Sequence, residues 1–221
     1  MDAEAALREM SGNYWAEFTT VAVAHALAVA SPGPDFAIVL KQSLAHGRRT
    51  AIWTSVGIGC GLSFHIGYSM LGMGLLLTKS PTALTVVKYL GAAYLAFIGG
   101  QALRSKARTG DLKLATGATA IPGNWAAWTT GFLVNLLNPK AALFFIALFP
   151  VAISPETPPI FLAGYGLWMM GTTIGWFSFV SIVFTRPEVR RSFLSHGHWI
   201  DRALGVVFIG FAVGLALSSL A

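Results

Sequence analysis

The sequence predicts an all-α integral membrane protein with six transmembrane helices, arranged as two inverted three-helix repeats in which helices 1 and 4 are broken. Three observations support this fold class. Of the 221 residues, 55% are hydrophobic and only 11% are charged, whereas soluble domains carry about 25% charged residues. The apolar runs are long enough for membrane helices rather than for barrel strands of about ten residues. Two of these runs contain proline breaks, and similar motifs recur in both halves of the chain.

The apolar runs predict the positions of the six helices. These are expected at 13–45, 50–77, 81–103, 124–153, 158–184 and 199–220. The corresponding division of the chain is a polar N-terminal tail at 1–12, a first repeat at 13–103, a cytoplasmic linker at 104–123 and a second repeat at 124–221. The linker is rich in Gly, Thr, Ala and Lys, a composition typical of flexible connections.

The two halves resemble one duplicated unit. Residues 90–97 align with residues 204–211, and Pro34 in the first half matches Pro139 in the second. The matches occur in the same order and at similar offsets. A unit of three helices ends on the opposite side of the membrane from where it begins, so a second copy must be inverted.

The first helix break is a short run of turn-forming residues in the middle of an apolar segment. It consists of Ser31, Pro32, Gly33, Pro34 and Asp35. Prolines remove backbone donors and clash with the preceding turn, and glycine permits a non-helical path. In hydrocarbon, broken backbone is tolerated only where protein or a water-filled cavity satisfies the freed groups. Two such breaks in matching halves indicate a transport site.

Asp35 and Lys140 follow the matched prolines, and helical rise places both near the middle of the bilayer. Asp35 is the only acidic residue well inside a predicted membrane segment. An isolated charge at that depth costs about 2.5–3.5 kcal/mol on insertion scales. One interpretation is a structural ion pair that joins the two breaks. The other is a zwitterion site, in which Asp35 faces a substrate ammonium and Lys140 faces its carboxylate.

Three further polar side chains are candidates for the site. Asn135 and Asn138 lie three residues apart in helix 4, and they could bind substrate or form helix–helix hydrogen bonds. His65 shares a face of helix 2 with Gly57 and Gly61, which permit close helix packing. It could relay protons together with Asp35, or it could be a neutral histidine bonded to a neighbouring helix.

Basic residues predict the orientation of the chain. Loops 1–2, 3–4 and 5–6 carry 11 Lys and Arg residues, and the opposite side carries three. By the positive-inside rule these loops face the cytoplasm and both termini face outside. The net charge of +6 therefore orients the chain, and there is no nucleic-acid-binding motif. The single cysteine, Cys60, excludes a disulfide framework and a cysteine metal site.

Two signatures resemble those of the LysE/RhtB family of amino-acid exporters. The first comprises the 31–35 break, Gly47-Arg48, Gly57 to Gly61 and His65, and the second comprises Gly131-Phe132-Leu133, Asn135, Asn138 to Ala141 and Phe144-Phe145 to Pro150. The resemblance covers nearly the whole chain past residue 13. It implies six helices in the inner membrane and export of amino acids or their derivatives, driven by proton exchange. It does not name the amino acid.

Two other functions are alternatives to amino-acid export. A divalent metal-ion exporter of the same superfamily would require several oxygen, imidazole or thiolate ligands, and the sequence offers few. An intramembrane enzyme would require a nucleophile–base pair or a metal cluster, and no such motif is present. The expected partners are an amino-acid substrate, protons and the lipid bilayer, without cofactor, metal or nucleic acid. A homodimer is left open.

Overall fold

The computed structural model describes residues 3–31, 33–79, 81–106, 121–154, 156–184 and 186–217. Within these ranges the protein contains eight α-helices and no β-strand. The helices are α1 (Ala3–Ala30), α2 (Pro34–His46), α3 (Arg48–Lys79), α4 (Pro81–Leu103), α5 (Asn124–Leu136), α6 (Pro139–Ala152), α7 (Pro159–Val183) and α8 (Pro187–Leu217). This all-helical architecture is consistent with an integral membrane protein.

The predicted first transmembrane helix is divided into α1 and α2 at the proline break. Gly33 is the N-cap of α2 with an extended backbone, and Pro34 occupies the first helical position. A proline costs least there, because the amide hydrogen it lacks would have no partner within the helix. The part of α1 from Tyr14 meets α2 at a bend of 50°. Pro32, which was also assigned to the break, lies outside the described residues.

The predicted fourth helix is divided in the same way, into α5 and α6. Pro139 is the first residue of α6, and the side chain of Asn138 caps the helix by accepting a hydrogen bond from the backbone amide of Lys140 at 3.0 Å. The bend between α5 and α6 is 53°. Pro34 and Pro139, matched by sequence alone, therefore begin corresponding half-helices.

The remaining helices follow the prediction except at one boundary. α3, α4 and α7 begin and end within two residues of the predicted limits. α8 begins at Pro187, twelve residues before the predicted start at 199, so the expectation of a loop over 187–198 is wrong. Pro187 suits a first turn, and Glu188 places a negative charge at the helix N-terminus. Residues 107–120 of the predicted linker lie outside the described residues.

Length and apolar composition identify candidate membrane spans among the described residues. α7 is long and apolar enough to cross a membrane alone. The bent pairs α1–α2 and α5–α6 each qualify when the two half-helices are taken together, which brings the number of spans to as many as three. Six spans therefore remain a prediction.

The buried apolar residues form two clusters. α6 contributes to the first cluster, and α2 contributes to the second. Members of the first include Phe145, Phe149, Leu148, Met169 and Phe208. Members of the second include Phe36, Leu40, Ile58, Phe177 and Val180. α3 contributes residues to both clusters, and α4 packs along α8.

Glycines bring α3 and α5 unusually close together. A Cβ atom added to Gly131 would overlap the carbonyl oxygen of Thr54, and one added to Gly57 would overlap that of Trp128. A Cβ on Gly61 would lie 2.8 Å from the carbonyl oxygen of Phe132. The close packing predicted from the glycine spacing is thus confirmed for Gly57 and Gly61.

Gly131→Ala is expected to destabilise the protein, because its methyl group would force α5 away from α3. Overpacking of this kind costs about 1–3 kcal/mol. Gly171→Ala in α7 is the matched control, since a Cβ there meets no atom within 4 Å and alanine favours a helix over glycine by about 1 kcal/mol. Thermal unfolding in one detergent compares the two variants. A Gly131→Ala protein as stable as the control would contradict the close packing.

Candidate functional site

The two helix breaks meet at the carboxylate of Asp35. Its Oδ2 atom accepts hydrogen bonds from the Nδ2 atoms of Asn135 at 3.0 Å and Asn138 at 3.1 Å. Asp35 lies in the first turn of α2, where the helix dipole favours a negative charge. Both asparagines are buried. Three residues predicted to bind substrate are therefore in direct contact, and two uncharged amides orient the carboxylate.

Lys140 reaches across in the opposite direction, from the second break to the first. Its Nζ atom donates a hydrogen bond to Ser31 Oγ at 2.6 Å. A Cβ atom on Gly33 would lie 3.7 Å from both Cδ and Nζ of Lys140, so the lysine side chain runs alongside the first break. Lys140 also interacts electrostatically with Asp35. Each break thus supplies the partners of the charged side chain on the other.

A small cavity lies at this crossing. Its polar lining includes six residues, Ser31, Asp35, Asn135, Asn138, Lys140 and Thr173, to which His25 adds a ring nitrogen. The apolar lining includes Leu62, Phe36, Phe144, Phe145 and Phe177. The volume open to the centres of water molecules is about 50 Å³, which corresponds to roughly four waters. The cavity therefore combines one negative and one positive group with apolar walls.

His65 lies behind the site rather than in it. Its Nε2 atom is 2.8 Å from the carbonyl oxygen of Asn135, and its Nδ1 atom is 2.9 Å from the hydroxyl of Tyr68. Because a carbonyl oxygen only accepts, Nε2 carries a proton. His65 is not among the described residues that line the cavity, although it interacts electrostatically with Asp35. A proton relay would have to pass through Asn135 or water.

A second buried carboxylate, which sequence reasoning missed, is linked to the site through Ser31. Ser31 Oγ donates to Oδ1 of Asp201 at 3.4 Å, and Ser105 Oγ donates to Oδ2 at 2.8 Å. The prediction that Asp35 alone lies well inside a membrane segment placed Asp201 near the start of a helix beginning at 199. The true start at Pro187 puts Asp201 near the middle of α8.

His25 and Thr173 were also missed as members of the cavity lining. His25 Nε2 lies 3.1 Å from the carbonyl oxygen of Met169 and 3.0 Å from Oγ1 of Thr173. Both side chains are buried. A histidine in an apolar run is a weak signal, and a threonine in a membrane helix gives none, because such hydroxyls commonly bond to their own helix.

Asn138→Ala is expected to lower the free energy of unfolding by at least about 2 kcal/mol. The change removes the cap of α6, worth about 0.5–2 kcal/mol, and a hydrogen bond to a charged group, worth about 1.5–3 kcal/mol. Asn138→Ser retains a capping oxygen but has no amide to reach Asp35, so its loss should be intermediate. Thermal unfolding in detergent measures both. Equal stability of Asn138→Ala and the unchanged protein would contradict the double role.

Comparisons with known proteins identify the family of the chain. A model of the family described as LysE type translocator matches residues 26–219. The threonine efflux protein of Salmonella typhi is 31% identical over 203 residues, covering 91% of this chain and 98% of that protein. The threonine efflux protein of Escherichia coli K12 is 30% identical over 201 residues, with the same coverage.

A leucine efflux protein from Klebsiella pneumoniae is 28% identical over 205 residues, covering 90% of this chain and 94% of that protein. No solved structure matches the chain significantly. The family match spans both helix breaks and most of the chain. The chain belongs to the LysE-type translocator family.

Proposed function

We propose that this protein is a secondary active exporter of amino acids or amino-acid derivatives across the cytoplasmic membrane. The observation that carries the proposal is that Asp35 and Lys140, charges of opposite sign, line one cavity where the two helix breaks cross. The relatives named threonine and leucine efflux proteins support the same class of substrate.

The charges of the cavity complement those of a free amino acid. Asp35 would face the substrate ammonium and Lys140 its carboxylate, while the amides of Asn135 and Asn138 hold the aspartate in place. An amino acid carries the same two charges in a fixed arrangement, so the site would favour ligands that carry both an ammonium and a carboxylate group. The apolar walls and small volume favour a substrate with a small side chain.

The proposed architecture is six spans in two inverted repeats, 13–103 and 124–221, in the inner membrane. The corresponding bends of 50° and 53°, each followed by a proline at the first helical position, support the repeat. Basic residues concentrated near the connections between α2 and α3, α4 and α5, and α7 and α8 favour cytoplasmic placement of those connections, with both termini outside. The site then lies at the repeat interface, as in other broken-helix transporters.

Asp35→Asn and Lys140→Met should each reduce efflux about 10- to 100-fold. A charge-assisted hydrogen bond worth about 1.5–3 kcal/mol corresponds to roughly that range. Efflux of labelled threonine from loaded proteoliposomes provides the measurement. Lys41→Met is the matched control, because Lys41 is an exposed lysine of α2, and it should retain efflux.

The double variant Asp35→Leu/Lys140→Met separates a binding site from a structural ion pair. Replacing a whole buried pair by apolar residues is often neutral for stability, so the protein should still insert and elute as a single species. It should nevertheless be inactive if the charges bind substrate. An active double variant would show that the charges only join the two breaks.

We further propose that export is coupled to proton entry, with Asp35 or His65 carrying the proton. Asp35 contacts the asparagine whose carbonyl oxygen is bonded to His65. Ionised Asp35 would bind the substrate ammonium, and protonated Asp35 would leave the site empty. Substrate and proton would then compete for one carboxylate, which is the requirement for exchange.

Proton coupling predicts that a proton gradient directed against substrate flow accelerates efflux from proteoliposomes and that a protonophore abolishes the acceleration. The His65→Gln variant assigns the carrier. Active efflux that has lost its response to pH would place the proton on His65, and an unchanged response would leave it on Asp35. Efflux indifferent to protons but driven by sodium would contradict the coupling.

A further inference from the structure

Asp201 is a buried carboxylate that the proposed zwitterion site leaves unexplained. Only 7% of the residue is exposed, and it is not among the described residues that line the cavity. A carboxylate in apolar surroundings is costly unless hydrogen bonds and a counter-charge compensate it. The partners of Asp201 therefore indicate what this residue does.

Ser31 connects Asp201 to Lys140, and the chemistry of the lysine fixes the direction of both hydrogen bonds. An ammonium group can only donate, so Ser31 Oγ accepts from Nζ of Lys140 at 2.6 Å. The hydroxyl hydrogen of Ser31 is then left to donate to Oδ1 of Asp201 at 3.4 Å. Because both contacts share one oxygen atom, the ammonium and the carboxylate lie close enough for strong electrostatic attraction in a poorly hydrated site. Asp201 is thus a counter-charge of Lys140.

The remaining contacts hold the carboxylate in place with uncharged groups. Ser105 Oγ, just after the end of α4, donates to Oδ2 of Asp201 at 2.8 Å. The neighbouring Arg202 is engaged elsewhere: its Nε atom donates to the carbonyl oxygen of Ser105 at 3.2 Å, and its guanidinium lies 5.0 Å from the centroid of the Trp199 ring. The hydrogen bonds to the two oxygens of Asp201 therefore come from serine hydroxyls, and its negative charge acts on Lys140.

We propose that Asp201 is a positioning residue that holds the ammonium of Lys140 through Ser31 and competes with the substrate carboxylate for it. This inference rests on the proposed function, in which Lys140 faces the carboxylate of an amino acid. Asp201 and that carboxylate carry the same charge and act on one ammonium, so each weakens the attraction of the other. Asp201 compensates Lys140 when the site is empty and lowers the affinity for the carboxylate when the site is filled, which promotes release.

Threonine and threoninamide are the probes, because the amide keeps the ammonium and the side chain but replaces the carboxylate by an uncharged group. Asp201→Asn removes the charge and keeps an oxygen that can accept from Ser31. It should tighten the binding of threonine relative to threoninamide at least about tenfold, the size expected for removing a nearby like charge. Calorimetry of the purified protein in detergent measures both dissociation constants.

Glu17→Gln is the matched control. Glu17 is also a carboxylate that is 7% exposed; it accepts from the hydroxyl of Thr157 and the backbone amide of Ser154, and it is not among the described residues that line the cavity. The ratio of the two dissociation constants should equal that of the unchanged protein in this variant. Asp201→Glu retains the charge and should retain the ratio. If Asp201→Asn does not insert, Asp201→Gln and Asp201→Glu make the same comparison.

The outcomes separate this inference from the proposed function. A ratio that Asp201→Asn leaves unchanged would overturn the positioning role and leave amino-acid export intact. Equal changes in both dissociation constants would also overturn it, since they would show a structural role. Failure of the unchanged protein to bind or export any amino acid of a panel would overturn the proposed function itself. Where the panel identifies an amino acid other than threonine, that amino acid and its amide are the probes.

Discussion

The fold depends on the crossing of its two helix breaks. A charge or an unsatisfied backbone group is costly in hydrocarbon, and neither break supplies all of its own partners. Asp35 of the first break is held by amides of the second, and Lys140 of the second reaches Ser31 of the first. Each half of the chain therefore requires the other. The glycine contacts of α3 with α5 place Asn135, whose amide bonds to Asp35, directly against Gly61.

The choice of partners matters for the proposed transport site. The amides of Asn135 and Asn138 and the hydroxyl of Ser31 orient the charged side chains and carry no net charge themselves. Asp201 is a further charged partner on the other side of Ser31. It places a carboxylate one hydroxyl away from Lys140, and Ser105 joins it to the end of α4. Ser31 thus links the ammonium group of Lys140 to the carboxylate of Asp201.

Local chemistry explains which parts of this site could be predicted from sequence. Prolines within apolar runs locate both breaks, and a charge that follows each proline identifies Asp35 and Lys140 without knowledge of helix packing. The position of Asp201 within a helix could not be predicted, because it depends on where α8 begins. The polar stretch before residue 199 resembles a loop. Whether Thr173 faces the cavity depends on the rotation of α7 about its own axis. Its neighbour Thr172 bonds within its own helix, and no sequence pattern distinguishes the two.

The hydrogen bonds around the cavity also affect how readily a substrate would be released in the proposed function. A site whose two charged groups had no protein partners would bind its ligand too tightly. The cost of removing water from those groups would already have been incurred when the protein folded. In the proposed function, an arriving ammonium would compete with Asn135 and Asn138 for Oδ2 of Asp35, and an arriving carboxylate would compete with Ser31 for Lys140. Binding would then exchange one set of hydrogen bonds for another. The net free energy of such an exchange is small compared with the gross interaction, which would allow release on the far side as readily as capture on the near side.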